Sequence, residues 1–146
     1  MEQRIQIDAI EPQAYKAMFA MGKYLNQNEL SETHKGLIKM RASLINKCAF
    51  CIDLHTLEAL KQGETEQRIR LLPAWQETDL FTEEEQILLK VTEEVTLISH
   101  QGLSEETYKK ALAVFGEKYL AQMIMEIIAI NSWNRIAVST NKFITK

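Results

Sequence analysis

Cysteine is nearly missing from this chain. Two among 146 residues are too few for a small scaffold stapled by disulfides. Five glycines and two prolines are also few, which excludes collagen-like and low-complexity classes. Positive charge is not in excess: 17 Lys and Arg stand against 20 Asp and Glu, for a net charge of −3. Without a basic stripe to neutralise phosphates, nucleic acid is not an expected partner. Long apolar runs are lacking too. A run such as "MIMEIIAI" (Met123 to Ile130) falls far short of the ~20 residues of a bilayer span, and Glu126 interrupts it. No membrane partner is expected, and no charged, apolar and small-residue succession marks a signal peptide, so the expected location is cytoplasmic.

What is present is helical patterning. Apolar residues recur with 3.6-residue periodicity and no period-2 alternation stands out, so the expected fold class is all-α. A length of 146 residues suits one domain spanning 1–146, with about six to seven helices and no linker or repeat. Pro12 suits the first position of a helix, and Ser31 suits the N-cap of "ETHKGLIKMRASLI". Asn46 is the expected cap of a third helix closed by Gly63; "ETEQRIRLL" is a short fourth, ended by Pro73. Thr82 to Glu85 reads as a capping box, and Ser104 opens another helix, which Gly116 separates from a long, broadly apolar final one.

Both cysteines lie in "INKCAFCIDLH". Cys48, Cys51 and His55 fall at i, i+3 and i+7, one face of a helix. In a reducing compartment such a pair is more often catalytic or metal-binding than structural. A helix start lowers the pKa of Cys48. His55, one turn beyond Cys51, is placed to take its thiol proton and make it the nucleophile. Helix position favours Cys48 for attack and the histidine favours Cys51; the second assignment makes Cys51 attack and Cys48 resolve. The substrate is then a peroxide, giving a sulfenic acid that Cys48 captures, or an external disulfide or dithiol. The alternatives are two cysteines filling a core, or a metal site. Structural zinc needs four ligands, and His34 and His100 form no ligand pair, so no metal and no cofactor is expected. Asp53 falls on another helix face. Trp133 and Arg135 read as packing and ion-pair or interface residues.

The stretch "KMRASLINKCAFCIDLHTLEALKQG" closely resembles the signature helix pair of alkylhydroperoxidase D-like proteins, in the carboxymuconolactone decarboxylase superfamily. Arg41, Ser43, Asn46, Cys48, Cys51 and His55 match its pattern. The similarity continues through "AW" (Ala74, Trp75), "FTEEEQILLKVTEEVT" and "NSWNRIAV", from about residue 30 to 140. The resemblance implies an all-helical homo-oligomer, commonly a trimer or hexamer, with thiol-dependent peroxidase or disulfide reductase activity in antioxidant defence. It implies reduction by a dithiol carried on a lipoylated protein, and a peroxiredoxin as a further partner. It also implies attack by the second cysteine and resolution by the first. Superfamily members that are true lactone decarboxylases generally lack the cysteine pair, so that chemistry is not expected. One position departs: the family's peroxidases carry a proton-relaying glutamate twelve residues before the first cysteine, and here that position is Gly36. Glu32, one turn earlier on a similar face, is the candidate substitute. The alternative function is a catalytically weak redox sensor or assembly module using the same disulfide.

Overall fold

The computed structural model of the chain describes residue 2 and residues 4–144. Every regular element among them is helical: α1 (Ile7–Ile10), α2 (Pro12–Asn26), α3 (Glu32–Ile45), α4 (Ala49–Lys61), α5 (Glu66–Leu71), a 3-10 helix (Leu72–Glu77), α6 (Glu83–Thr96), α7 (Ile98–Gln101) and α8 (Glu105–Ser139). The all-α expectation is met. The count differs from six to seven because α1 and α7 are single turns that periodicity does not resolve. The run "ETEQRIRLL" stops being α-helical at Leu71, and Pro73 lies in the first turn of the 3-10 helix that begins at Leu72 instead of ending the element.

The local signals act as their chemistry requires. The Oγ of Ser31 and of Ser104 accepts the backbone N–H three residues on, and Thr82 with Glu85 makes a reciprocal capping box. Gly116 interrupts the helical path of α8 at φ 73°, ψ 169°, a conformation essentially reserved for glycine, so α8 is two helices joined at a bend.

Helix α3 is the centre of the packing. It lies against α4, α6 and α8, while α6 packs along α8. Leu37, Ile38, Leu88, Leu89, Met123 and Ile127 of these helices are fully buried together; each such side chain contributes about 1.5–3 kcal/mol on removal from water. Arg68 ties α5 to α6: its guanidinium grips Glu85 through two bonds of 3.0 and 2.7 Å and lies over the Phe81 ring. Helix α2 lies across α8, and its Tyr15 and Phe19 rings stand 5.3 and 5.8 Å from the Trp133 ring.

Candidate active site

The cysteines sit where α3 turns into α4, and the turn differs from the sequence expectation. Cys48 N–H donates to the Ser43 carbonyl (3.0 Å) and Lys47 N–H to the Leu44 carbonyl (3.2 Å), the two bonds of a Schellman termination. That motif needs a left-handed residue, and Lys47 supplies it at φ 54°. Asn46 therefore ends α3 and does not cap α4. Cys48 itself is the N-cap, and its Sγ accepts the Cys51 N–H at 3.3 Å. Both sulfurs thus lie at the positive end of the α4 dipole, which favours thiolate when they are reduced. Here they are joined as a disulfide with Cα atoms 5.3 Å apart.

The turn is pinned from behind by amides. Asn46 Nδ2 donates to the Oδ1 atoms of Asn131 and Asn134, at 2.9 Å each. Asn134 Nδ2 donates to Ser43 Oγ (3.0 Å), and Asn131 Nδ2 to Thr96 Oγ1 (3.0 Å). Arg135 donates to the Asn131 side chain and, among the described residues, to no carboxylate. The "NSWNR" segment of α8 is thereby the clamp on the cysteine turn. Arg41 belongs to another cluster: it pairs with Glu93, which also accepts the Trp75 indole N–H at 2.6 Å.

Cys51 and His55 line one cavity of about 290 Å³, walled by Tyr15, Phe19, Phe50, Leu54 and Trp133, with Lys142 as its cation. Cys48 opens instead onto a second cavity, of about 350 Å³, against the C-terminal residues Phe143 and Ile144. Both cysteines are buried, Cys48 at 1 % and Cys51 at 3 % exposure. His55 Nδ1 lies 2.8 Å from Glu58 Oε2. A carboxylate oxygen accepts, so Nδ1 carries the proton of the neutral ring and Nε2 keeps its lone pair. Burial lowers the His55 pKa, Glu58 works against that, and Lys39 adds to the lowering. An imidazole that stays neutral is the form able to take a thiol proton.

Cys48, Cys51 and His55 are therefore together. Glu32 is elsewhere: it pairs with Lys35 (3.1 Å) and Gln62 (3.2 Å) and lines a narrow cleft with Gly36, not the cavity that Cys51 and His55 share. Gly36 faces Ala59, whose Cβ lies 3.9 Å from where a Gly36 Cβ would stand. Asp53 is exposed. His34 is engaged by the Tyr119 hydroxyl at 2.6 Å. Among the described residues no cluster of three or more His, Cys, Asp or Glu is arranged to hold a metal ion, and no helix is long and apolar enough to cross a membrane. The sequence reading missed Glu58, although its i+3 spacing from His55 is a legible signal. It also missed the asparagine clamp, whose partners are some 85 residues apart in the chain.

The site is thus a C-x-x-C disulfide with a histidine one turn on, set in an all-helical bundle. The profile of the carboxymuconolactone decarboxylase family matches residues 12–94. The chain belongs to that family. Uncharacterized protein YdfG of Bacillus subtilis (strain 168) is 42% identical over 139 residues, covering 95% of both chains. A crystal structure from Agrobacterium tumefaciens, of a protein of unknown function provisionally designated the antioxidant defence protein AhpD, superimposes with a TM-score of 0.96. It is 36% identical and covers 99% of each chain. An uncharacterized peroxidase-related protein from Silicibacter sp. TM1040 shares the fold at a TM-score of 0.81 and 20% identity, covering 92% of this chain and 72% of its own.

Proposed function

We propose that this chain is a thiol-dependent oxidoreductase that reduces hydroperoxides, or disulfides, through Cys48 and Cys51. The observation that carries this reading is the Cys48–Cys51 disulfide at an apolar cavity that Cys51 shares with a neutral-leaning His55. In the reduced protein His55 takes the Cys51 proton and the thiolate attacks the distal peroxide oxygen. The O–O bond breaks, the alkoxide leaves with a proton as alcohol, and Cys51 becomes a sulfenic acid. Cys48 attacks that sulfur, water departs, and the disulfide forms. An external dithiol returns the two electrons by two thiol–disulfide exchanges. The resemblance makes a lipoylated protein the reductant and a peroxiredoxin a further partner, in the cytoplasm. The aromatic wall suits an organic hydroperoxide.

The test is a steady-state hydroperoxide assay with a dithiol reductant. Cys51→Ser is expected to lose turnover entirely; consumption at the parent rate would remove Cys51 from the chemistry. A second reading, a redox sensor or assembly module, is favoured by the burial of both sulfurs and by Gly36. It takes over if the parent forms the disulfide once and does not turn over.

A further inference from the structure

The imidazole of His55 is a wall between two cavities. On one side lies the space it shares with Cys51. On the other lies a smaller cavity of about 130 Å³, where α2 (Gly22, Leu25), α3 (Lys39), α4 (His55) and α8 (Glu126, Trp133) converge. Glu126 is the anomaly in that space. It is 3 % exposed in the middle of an apolar helix, and its Oε2 has no hydrogen-bond partner among the described residues. Its Oε1 lies 3.8 Å from Lys39 Nζ. Lys39 thus meets one oxygen at the limit of an ion pair and leaves the other unsatisfied; a buried carboxylate so poorly satisfied is costly, so such a group is a neutral acid or it serves something in the cavity. A volume of this size admits several waters, each occupying about 30 Å³ of liquid volume.

We infer that Glu126 is the proton-exchange partner of His55, acting through water in the cavity the two residues line. Glu58 holds Nδ1 from the outer side, which leaves Nε2 as the exchanging atom. When the imidazole has given its proton to a departing alkoxide or thiolate, the Glu126 carboxyl replaces it. Glu126 recovers that proton when the next thiol is deprotonated, so the cycle consumes none. Burial pushes the Glu126 pKa up, against the pull of Lys39 and Lys35, while Glu32 adds to the rise. The charged groups bearing on the exchange are thus Lys35, Lys39 and Glu32 on α3 and His55 and Glu58 on α4; the α2 residues lining the cavity carry no charge. Where the resemblance implies a relaying glutamate the chain has Gly36, and α8 supplies a carboxyl instead. This exchange rests on the proposed thiol chemistry for its purpose, and not for its titration.

The experiment uses the reduced full-length protein. Imidazole NMR follows His55 against pH in the parent and in Glu126→Gln, with His34 and His100 as internal references. The parent is expected to show a second inflection from Glu126 ionisation, and Glu126→Gln a single one. Hydroperoxide turnover by Glu126→Gln is expected to fall about 100-fold in kcat, the low end for an acid–base group, with KM little changed, and Glu126→Asp to restore part of it. A raised carboxyl pKa means that ionisation at neutral pH opposes folding, so Gln is expected to keep or raise Tm. Identical His55 titrations in parent and variant, or an unchanged kcat in Glu126→Gln, overturn the inference. If the parent itself has no turnover, the oxidoreductase reading fails, while the NMR titration still decides whether Glu126 and His55 exchange.

Discussion

At the residue scale the site depends on which form His55 takes and what holds it. Glu58 supports the protonated imidazole while burial opposes it. Glu58→Gln removes the supporting charge, so the His55 pKa falls further. The neutral ring then persists to lower pH, and the acid limb of the kcat/KM profile is expected to move to lower pH. A looser Nδ1 contact should also lower kcat several-fold, since an unheld ring samples unproductive orientations. A pH–rate profile of the variant checks both; an acid limb moved to higher pH contradicts the assignment. The i, i+3, i+7 spacing made Cys48, Cys51 and His55 readable as one group. Glu126 was visible only as an interruption in "MIMEIIAI", because a one-dimensional pattern records a charge in an apolar run without showing the cavity it enters.

At the scale of elements, the helices with strong chemical punctuation were the legible ones. Ser31, Thr82 and Ser104 capped as expected because a hydroxyl three residues before a free N–H has one obvious bond to make. Asn46 misled for a physical reason. Asparagine is a good cap, but here its amide is drawn to Asn131 and Asn134 on α8, and Lys47 takes the left-handed position that starts α4 two residues later. Distant partners decided a local choice. Gly36 lies within α3, where a Cβ meets only Ala59 at ordinary contact distance. Gly36→Ala is therefore expected to raise stability by about 0.5–1 kcal/mol, read by urea unfolding, without loss of hydroperoxide turnover. A drop in turnover would mean that backbone freedom at position 36 matters to the chemistry.

At the scale of the whole molecule, the chain leaves apolar surface near its site exposed. Phe19 is 62% exposed, Leu57 51% and Leu54 40%, and Phe19 and Leu54 also wall the Cys51 cavity. A homo-oligomer that covers these side chains would complete the wall of the site and shield the thiolate from bulk water. Light scattering is expected to give a mass that is a multiple of 16.9 kDa. Phe19→Asp is expected to lower that mass; a parent that runs as a monomer removes this part of the account. Such an assembly was not legible in the chain by composition, because exposed apolar residues are indistinguishable from core residues until a fold assigns them a side.

The central claim is that Cys51 attacks and Cys48 resolves. Its most direct measurement is a single turnover of reduced Cys48→Ser with one equivalent of hydroperoxide, read by mass spectrometry after trapping with a sulfenic-acid reagent. The expected result is one added oxygen, trapped on Cys51, with no intramolecular disulfide. Cys48→Ser protein that neither gains oxygen nor consumes hydroperoxide, while Cys51→Ser does both at Cys48, would contradict it.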